Sequence, residues 1–231
     1  MKRFETGINS LDKLLDGGIA EKSVCLVCGR PGMGKTLVAS EIAVSMAKTG
    51  TKVLYADLEM SPATACYFLN EASKDDRVDN NIEYHAFAGK ANVCDLWGVF
   101  LESEADVVFI DYVDLIDLPW HRTLKFATKI SCDKAFVWCC QLKPDIDERD
   151  DKTPTLKDSC GIMYPDYADN TILLFRDSYY AESGESDNDK TISLDVYEGE
   201  EYRGKATLPF DTEKHFEAFH CAVDLESKKE D

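Results

Sequence analysis

The chain has 231 residues, of which 44% are hydrophobic and 30% are charged, enough for one sizeable hydrophobic core. Acidic residues outnumber basic ones by 44 to 26, and the formal net charge of −18 argues against a general nucleic-acid coat protein, because phosphate binding needs a basic face. No apolar stretch approaches the roughly 20 residues of a membrane-spanning helix, and the N-terminus lacks the apolar core of a signal peptide. We therefore expect a soluble, cytoplasmic protein with no membrane contact.

Short apolar runs alternate with helical patterns along most of the chain. Six runs are predicted to be strands, and several are the unbroken hydrophobic stretches typical of a sheet covered on both faces; they are residues 23–28, 52–58, 82–87, 107–112, 135–140 and 171–175. Segment 35–48 has apolar residues four apart, and Ser61-Pro62 is typical of a helix start. Helices are therefore expected between the strands.

The C-terminal part changes to an antiparallel pattern. Beyond Asp177 two strands are expected, at 191–197 and 205–210. The whole order predicts an α/β fold with a mainly parallel sheet flanked by helices and with C-terminal antiparallel strands. We expect a single domain over residues 1–223, followed by an acidic, polar tail at 224–231.

Nine cysteines are present, an odd number that lies mostly inside apolar runs. This distribution argues against a disulfide framework and indicates a reducing compartment. Cys25 and Cys28 form a Cys-x-x-Cys pair, but residues three apart in a strand point to opposite faces, and no second pair lies at zinc-finger spacing. We expect both to be buried core thiols.

A phosphate-binding loop is the strongest motif in the sequence. Residues 29–36 match G-x-x-x-x-G-K-[ST] at every fixed position, directly after an apolar strand and directly before an amphipathic helix. Glycines such as Gly32 and Gly34 let backbone N–H groups curl around a β-phosphate at the helix N-terminus. Lys35 would bring positive charge to the β- and γ-phosphates, and the Thr36 hydroxyl would bind Mg²⁺. The motif predicts a site for a nucleoside triphosphate and Mg²⁺.

Two further strands end in acidic residues. Asp111 closes the apolar run 107–111 and would emerge at the carboxyl end of a buried strand, where it could hold the water shell of the metal. The strand at 52–58 leads into Asp57 and Glu59, either of which could orient the attacking water or accept its proton. Spacing alone does not choose between these two.

Several segments carry a resemblance to a known family. Residues 6–18 (Thr-Gly-Ile-Asn-Ser-Leu-Asp-Lys-Leu-Leu-Asp-Gly-Gly) resemble the opening of RecA-type ATPase domains, including those of KaiC, RadA and the helicase DnaB. Later segments resemble the DnaB-family replicative helicases in particular, and they occur in that family's order: 58–61, 110–116, 141–142, 151–159 and 167–180. The resemblance covers residues 4–219, matches the motor domain without the N-terminal domain, and implies a RecA-like P-loop NTPase core.

The resemblance also implies roles for single residues. Lys35 and Thr36 would contact ATP and Mg²⁺, and Asp111 would be the Walker B carboxylate. Glu59 would be the catalytic base, which the family pattern favours over Asp57. Gln141, at the end of its strand, would sense the γ-phosphate and signal its loss to DNA-binding loops.

For each of two arginines the resemblance implies two alternative roles. Arg30 stands where the helicases also have an arginine, and it would either assist the phosphates or pack locally. Arg176, followed by Asp177 and a Tyr-Tyr pair, would lie near the edge of the nucleotide or form a structural pair with Asp177.

Departures from the family lie where helicases contact DNA and neighbouring subunits. The helicase arginine finger corresponds here to the acidic stretch 194–201, and Arg203 is the nearest candidate replacement. The segment after Gln141, basic in the family, has five acidic residues against one lysine and one arginine over 143–151. The stretch between Asp111 and Gln141 is also shorter than in the family. We expect weak binding of single-stranded DNA.

Three hypotheses follow. The first is a DnaB-like ATPase of DNA replication or recombination, with ATP-driven translocation on single-stranded DNA or unwinding as the inherited activity. The second is a nucleotide-binding protein that regulates a replicative helicase and hydrolyses little ATP itself. The third is an ATPase similar to KaiC or RadA. Intact nucleotide-site residues favour the first hypothesis, and the lost finger and the net charge of −18 favour the second. The segments 58–61 and 176–180, which resemble DnaB, count against the third.

Overall fold

The computed structural model describes residues 1–59, 71, 74–87, 92–116, 133–158, 168–180 and 191–210. The strands in these ranges are β1 (Arg3–Phe4), β2 (Ile19–Ala20), β3 (Val24–Gly29), β4 (Val53–Asp57), β5 (Ile82–Ala86), β6 (Val107–Asp111), β7 (Ala135–Gln141), β8 (Asn170–Phe175), β9 (Thr191–Glu198) and β10 (Glu201–Pro209). The helices are α1 (Asn9–Leu14), α2 (Lys35–Lys48), α3 (Asp76–Asn81), α4 (Val93–Glu102) and α5 (Asp177–Tyr180). Single 3₁₀ turns are formed by Val113–Leu115, Pro144–Glu148 and Leu156–Asp158.

Eight strands form one sheet, in the order β10-β9-β8-β3-β7-β6-β4-β5. Strands β3 to β8 pair in parallel, whereas β8 with β9 and β9 with β10 pair antiparallel. The predicted α/β architecture with C-terminal antiparallel strands is therefore confirmed. The single-domain boundary at residue 223 stays a prediction, and both Ser61-Pro62 and the tail at 224–231 lie outside the described residues.

The last strand begins earlier than the sequence indicated. It starts at Glu201 instead of residue 205, because Glu198 and Glu201 pair across a two-residue loop. Gly199 takes the first loop position with φ of 54°, the place where a tight II′ hairpin turn requires glycine. Of the acidic stretch 194–201, residues 198–201 are therefore the tip of a hairpin, and residues 194–197 lie within β9.

The sheet is buried on both faces, as its apolar strands predict. One face packs on α2, whose Val38, Ile42 and Met46 are fully buried at the predicted spacing of four. The other face packs on α4. Cys25 lies in the first core and Cys28 in the second, so the pair points to opposite faces as expected. Burial raises the pKa of the Cys25 thiol to about 12.

The carboxyl ends of the central parallel strands meet at one edge of the sheet. Gly29 of β3 is in register with Gln141 of β7, and Asp57 of β4 is in register with Asp111 of β6. Candidate residues from four strands therefore converge where α/β proteins bind ligands. Among the described residues no helix is both long and apolar enough to cross a membrane.

Candidate active site

The loop between β3 and α2 has the conformation that only glycine accepts easily. Gly32 and Gly34 have φ of 76° and 95°, and Gly34 is the N-cap of α2. A Cβ atom on Gly34 would lie 2.8 Å from Cδ1 of Ile192, and one on Gly32 would lie 2.9 Å from the Tyr179 ring. Both backbone angle and space exclude a side chain. The loop brings the N-terminus of the 14-residue α2 to the site, where its dipole favours an anion.

A cleft of about 220 Å³ opens at the end of this loop. Its volume suits a chain of phosphates better than a whole nucleotide, because pockets that enclose drug-sized ligands are roughly 300–1,000 Å³. The cleft is lined by Pro31, Gly32, Gly34, Lys35, Thr36, Leu37, Glu59, Asp111, Tyr112, Gln141 and Phe210. It brings together residues that lie more than a hundred positions apart in the chain.

Asp111 is the buried acidic group of the cleft. Only 2% of the residue is exposed, and its Oδ2 accepts a hydrogen bond of 3.0 Å from the Tyr55 hydroxyl. Burial raises the pKa of the carboxyl, although the Thr36 hydroxyl, Tyr55 and the Lys35 ammonium act in the opposite direction. Its Oδ1 is buried without a hydrogen-bond partner among the described residues. The site therefore contains a buried oxygen that can accept a further hydrogen bond.

This arrangement fits Mg²⁺. The ion prefers oxygen ligands, keeps several of its waters, and is usually held by one or two protein oxygens together with substrate phosphates. The spare Oδ1 of Asp111 could accept from a metal-bound water, and the Thr36 hydroxyl on the same cleft could contact the ion directly. Lys35 lies beside them, and its Nζ donates to the carbonyl of Arg30 over 3.3 Å.

Glu59 and Asp57 have different positions. Glu59 is exposed and lines the cleft, where partial burial and the nearby Asp111 raise its pKa while Lys35 lowers it. Asp57 is fully buried, and its Oδ2 accepts a hydrogen bond of 2.8 Å from the Tyr84 hydroxyl. Of the two acidic residues, Glu59 lines the cleft and Asp57 does not. The role of Glu59 as catalytic base stays a prediction.

Gln141 is the last residue of β7 and lies in the wall of the cleft. Its backbone N–H donates to Oδ2 of Asp114 over 3.0 Å, which ties the end of β7 to the turn that follows Asp111. Burial raises the pKa of Asp114. Gln141 therefore stands between the cleft and the acidic segment that follows it.

Arg30 is engaged by its own chain. Its Nη2 and Nε donate to Oδ2 of Asp147 over 2.6 and 3.1 Å, and Nη1 donates to the carbonyl of Leu142 over 3.0 Å. The Tyr180 hydroxyl donates to the other oxygen of Asp147 over 2.5 Å. These contacts match the local-packing alternative, and a phosphate role for Arg30 stays a prediction.

Arg176 packs on an aromatic residue of the cleft wall. Its guanidinium carbon is 4.1 Å from the ring centre of Phe210, a residue that lines the cleft, and 5.8 Å from that of Tyr179. Burial lowers its pKa, and its Nε has no hydrogen-bond partner within the described ranges. The alternative pairing with Asp177 is not formed between these two described residues. Contact with the nucleotide edge stays a prediction.

Arg203, the candidate arginine finger, forms ion pairs within its own chain. It contacts Asp16 at 3.1 Å and Glu198 at 2.6 Å. The acidic segment 143–151 contains the 3₁₀ turn Pro144–Glu148, and Arg149, directly after this turn, pairs with Asp158 at 3.0 Å. Most of the short stretch between Asp111 and Gln141 lies outside the described residues.

Sequence reasoning missed Tyr55, Cys139, Tyr112 and Phe210. Tyr55 and Cys139 both lie in apolar runs, and a hydrogen bond with each lowers the pKa of Asp111. Their apolar surroundings in sequence indicated core residues, and only the pairing of β4 and β7 with β6 brings them to Asp111. Tyr112 could have been suspected because it directly follows Asp111.

The chain is similar to known proteins over part of its length. A family model described as the KaiC ATPase matches residues 4–86, which include the phosphate-binding loop. The DNA repair protein RadA of Campylobacter jejuni is 46% identical over 61 residues, which are 26% of this chain and 14% of RadA. Each of these matches covers a minor part of the chain.

Solved structures match over nearly the whole chain. One solved ATPase domain has a TM-score of 0.74 at 22% identity, covering 93% of this chain and 90% of that domain. A DnaB-like replicative helicase, solved in a study of its interactions with primase, has a TM-score of 0.76 at 23% identity, covering 93% of this chain and 61% of the helicase. The fold is that of a RecA-like P-loop ATPase. The predicted likeness to DnaB-like ATPase domains is therefore confirmed as a likeness of fold.

Proposed function

We propose that this protein binds ATP with Mg²⁺ and hydrolyses it as a DnaB-like ATPase of DNA replication or recombination. The observation that carries the proposal is the convergence of Lys35, Thr36, Glu59, Asp111 and Gln141 on one cleft beside a glycine loop. A phosphate loop alone would support binding. A candidate base and a buried carboxylate that could hold the metal, both in the same cleft, support hydrolysis of the bound nucleotide as well.

Each residue has a part in the proposed reaction. The loop N–H groups and Lys35 bind the phosphates, while Thr36 and Asp111 hold Mg²⁺, which neutralises charge on the phosphates. Glu59 orients the attacking water and accepts its proton, and a carboxyl whose pKa is raised above its usual range serves better as a base near neutral pH. Gln141 contacts the γ-phosphate and changes position when it leaves.

A second function is supported by the C-terminal hairpin. Phosphoryl-transfer enzymes that use an arginine finger gain about 10³- to 10⁵-fold in turnover from it. Arg203 is held by Asp16 and Glu198, so it is not free to reach another subunit without breaking both ion pairs. This observation favours a nucleotide-binding protein that regulates a replicative helicase and hydrolyses ATP slowly by itself.

The third function, a KaiC- or RadA-like ATPase, is supported by the family model over residues 4–86 and by the local identity with RadA. Like the first proposal it involves binding and hydrolysis of ATP, but the protein would act on recombination intermediates instead of with a replicative helicase. Stimulation by a replicative helicase would favour the first or second proposal, and its absence together with stimulation by recombination intermediates would favour the third.

The first experiment tests nucleotide binding by thermal melting. A ligand at 100 times its Kd adds about 2.7 kcal/mol to the stability of the native state, so ATP with Mg²⁺ should raise the melting temperature by several degrees. Lys35→Ala should abolish this shift. Lys48→Ala, at the far end of the same helix, is the matched control and should keep it. A full shift in Lys35→Ala would refute the site.

A further inference from the structure

Two tyrosine hydroxyls bond to carboxylates in the same way on neighbouring strands. Tyr84 of β5 donates to Oδ2 of Asp57 on β4 over 2.8 Å, and Tyr55 of β4 donates to Oδ2 of Asp111 on β6 over 3.0 Å. In each pair the aspartate lies two residues beyond the position opposite the tyrosine. The two pairs are therefore repeats of one geometry, displaced by one strand.

Only one of the two pairs reaches the cleft. Asp111 lines it and Asp57 does not, although both carboxylates are buried. Tyr55 is itself fully buried, with its ring between Tyr84 at 6.3 Å and Phe109 at 5.7 Å, measured between ring centres. A phenol is costly inside a parallel sheet unless its hydroxyl is hydrogen bonded, because burial removes it from water. The hydroxyl of Tyr55 meets this need at Asp111, with Ser40 of α2 beside it.

The two oxygens of Asp111 therefore have different surroundings. Oδ2 accepts a hydrogen bond from Tyr55, whereas Oδ1 is buried without a hydrogen-bond partner in the described part of the chain. The side chains of Thr36 and Cys139 also lie beside this carboxylate and lower its pKa. A carboxylate fixed at one oxygen cannot rotate about its last bond without losing that hydrogen bond. The free oxygen is then presented in a single orientation.

We propose that Tyr55 is a positioning residue that fixes the Asp111 carboxylate so that Oδ1 meets the water shell of Mg²⁺. This inference rests on the proposed function and deepens it, since it concerns the metal of the same site. Partners that hold a metal-binding carboxylate typically change metal affinity or activity by about 10- to 100-fold when they are removed. Tyr55 acts through Asp111, so its effect should appear in the Mg²⁺ dependence and not in the binding of the nucleotide alone.

The test compares Tyr55→Phe with the matched control Tyr84→Phe. Each substitution removes one hydroxyl from one tyrosine–aspartate pair and keeps the ring. The stabilisation of the full chain by a non-hydrolysable ATP analogue is measured by thermal melting while Mg²⁺ is titrated from zero. We expect the Mg²⁺ midpoint of Tyr55→Phe to rise by about 10- to 100-fold, while that of Tyr84→Phe stays within twofold of the wild type. The shift produced by the analogue without metal should be the same in all three proteins.

The possible failures can be told apart. A wild-type chain without a Mg²⁺-dependent shift would overturn the proposed function, and the role of Tyr55 with it. A normal wild-type titration with equal midpoints in the two variants would overturn the role of Tyr55 alone. If Tyr55→Phe does not fold, the titration is repeated in sucrose, which stabilises native proteins. Failure to fold there as well would make Tyr55 a structural residue and refute the proposal.

Discussion

Replacing Gly34 by alanine should damage both the fold and the nucleotide site, and the structure separates the two effects. The backbone of Gly34 has φ of 95°, where an alanine is strained by about 1–2 kcal/mol. Its new methyl group would also lie 2.8 Å from Cδ1 of Ile192, a fully buried residue with little room to move. Forcing an extra methyl into a packed core costs about 1–3 kcal/mol. Alanine also lowers the conformational entropy of the unfolded chain, which stabilises the native state by about 0.4–1 kcal/mol. With the middle of each range, the net loss of stability should be about 3 kcal/mol.

Gly50→Ala is the control for this substitution. Gly50 follows α2 with φ of 92°, but a Cβ atom there would have no neighbour within 4 Å. Only the backbone strain remains, so the loss should be about 1 kcal/mol. In a chain of this size 1 kcal/mol corresponds to about 2–4 °C, which predicts a fall in melting temperature of about 2–4 °C for Gly50→Ala and about 6–12 °C for Gly34→Ala.

The same melts with ATP and Mg²⁺ test the site. Gly50→Ala should keep the full nucleotide-dependent shift, whereas Gly34→Ala should lose it, because the loop can no longer direct its N–H groups at a phosphate. An equal loss of stability in the two variants would show that Ile192 can move away from the new methyl group without destabilising the core. A full ATP shift in Gly34→Ala would refute the assignment of this loop as the phosphate cradle.

Four further predictions concern activity. Glu59→Gln should abolish turnover while ATP affinity stays within a few-fold, and Asp57→Asn, whose carboxylate is buried against Tyr84, should change turnover much less; phosphate-release assays with both variants check this ranking. The base must be deprotonated to act, and the pKa of Glu59 is raised, so initial rates should fall with decreasing pH at a point above the usual 4.5 of a glutamate. Single-stranded DNA should bind weakly, with a shallow salt dependence in fluorescence anisotropy, and nanomolar binding with a steep slope would contradict the loss of the DNA surface. Turnover per molecule should not rise with protein concentration, and a cooperative rise that Arg203→Ala removes would show that Arg203 is a shifted finger.

Features of the chain that depend on neighbouring residues could be predicted from the sequence. The phosphate loop needs one strand before it and one helix after it, and α2 begins and ends at the predicted residues. Cys25 and Cys28 point to opposite faces of the sheet because side chains alternate along a strand, and this needs no knowledge of the other strands. The apolar runs of the central strands likewise indicated a sheet buried on both faces.

Contacts between distant residues could not be predicted, because they depend on the order of strands in the sheet. The placement of β4 next to β6 brings Tyr55 to Asp111 across 56 positions of the chain. Arg30 meets Asp147 across 117 positions, and Arg203 meets Asp16 across 187. The sequence could indicate Asp111 as a metal-binding candidate, but it could not show that Tyr55 bonds to it or that Arg30 and Arg203 are paired with acidic residues.

The charges around the cleft bear on whether the protein is an enzyme in its own right or depends on a partner. Phosphoryl transfer builds negative charge that cations must stabilise in the transition state, and Lys35 lines the cleft. Arg30 is neutralised by Asp147, and Arg203 is held by two carboxylates at the hairpin. Arg176 has no acidic partner in the described residues; its guanidinium carbon lies 4.1 Å from the ring centre of Phe210, and it is not one of the residues that line the cleft. Among the described residues, Lys35 is the one cationic side chain that lines the cleft. We therefore predict that a partner that inserts an arginine into the cleft would raise ATP turnover most, and that ATP hydrolysis would then report that the partner is bound.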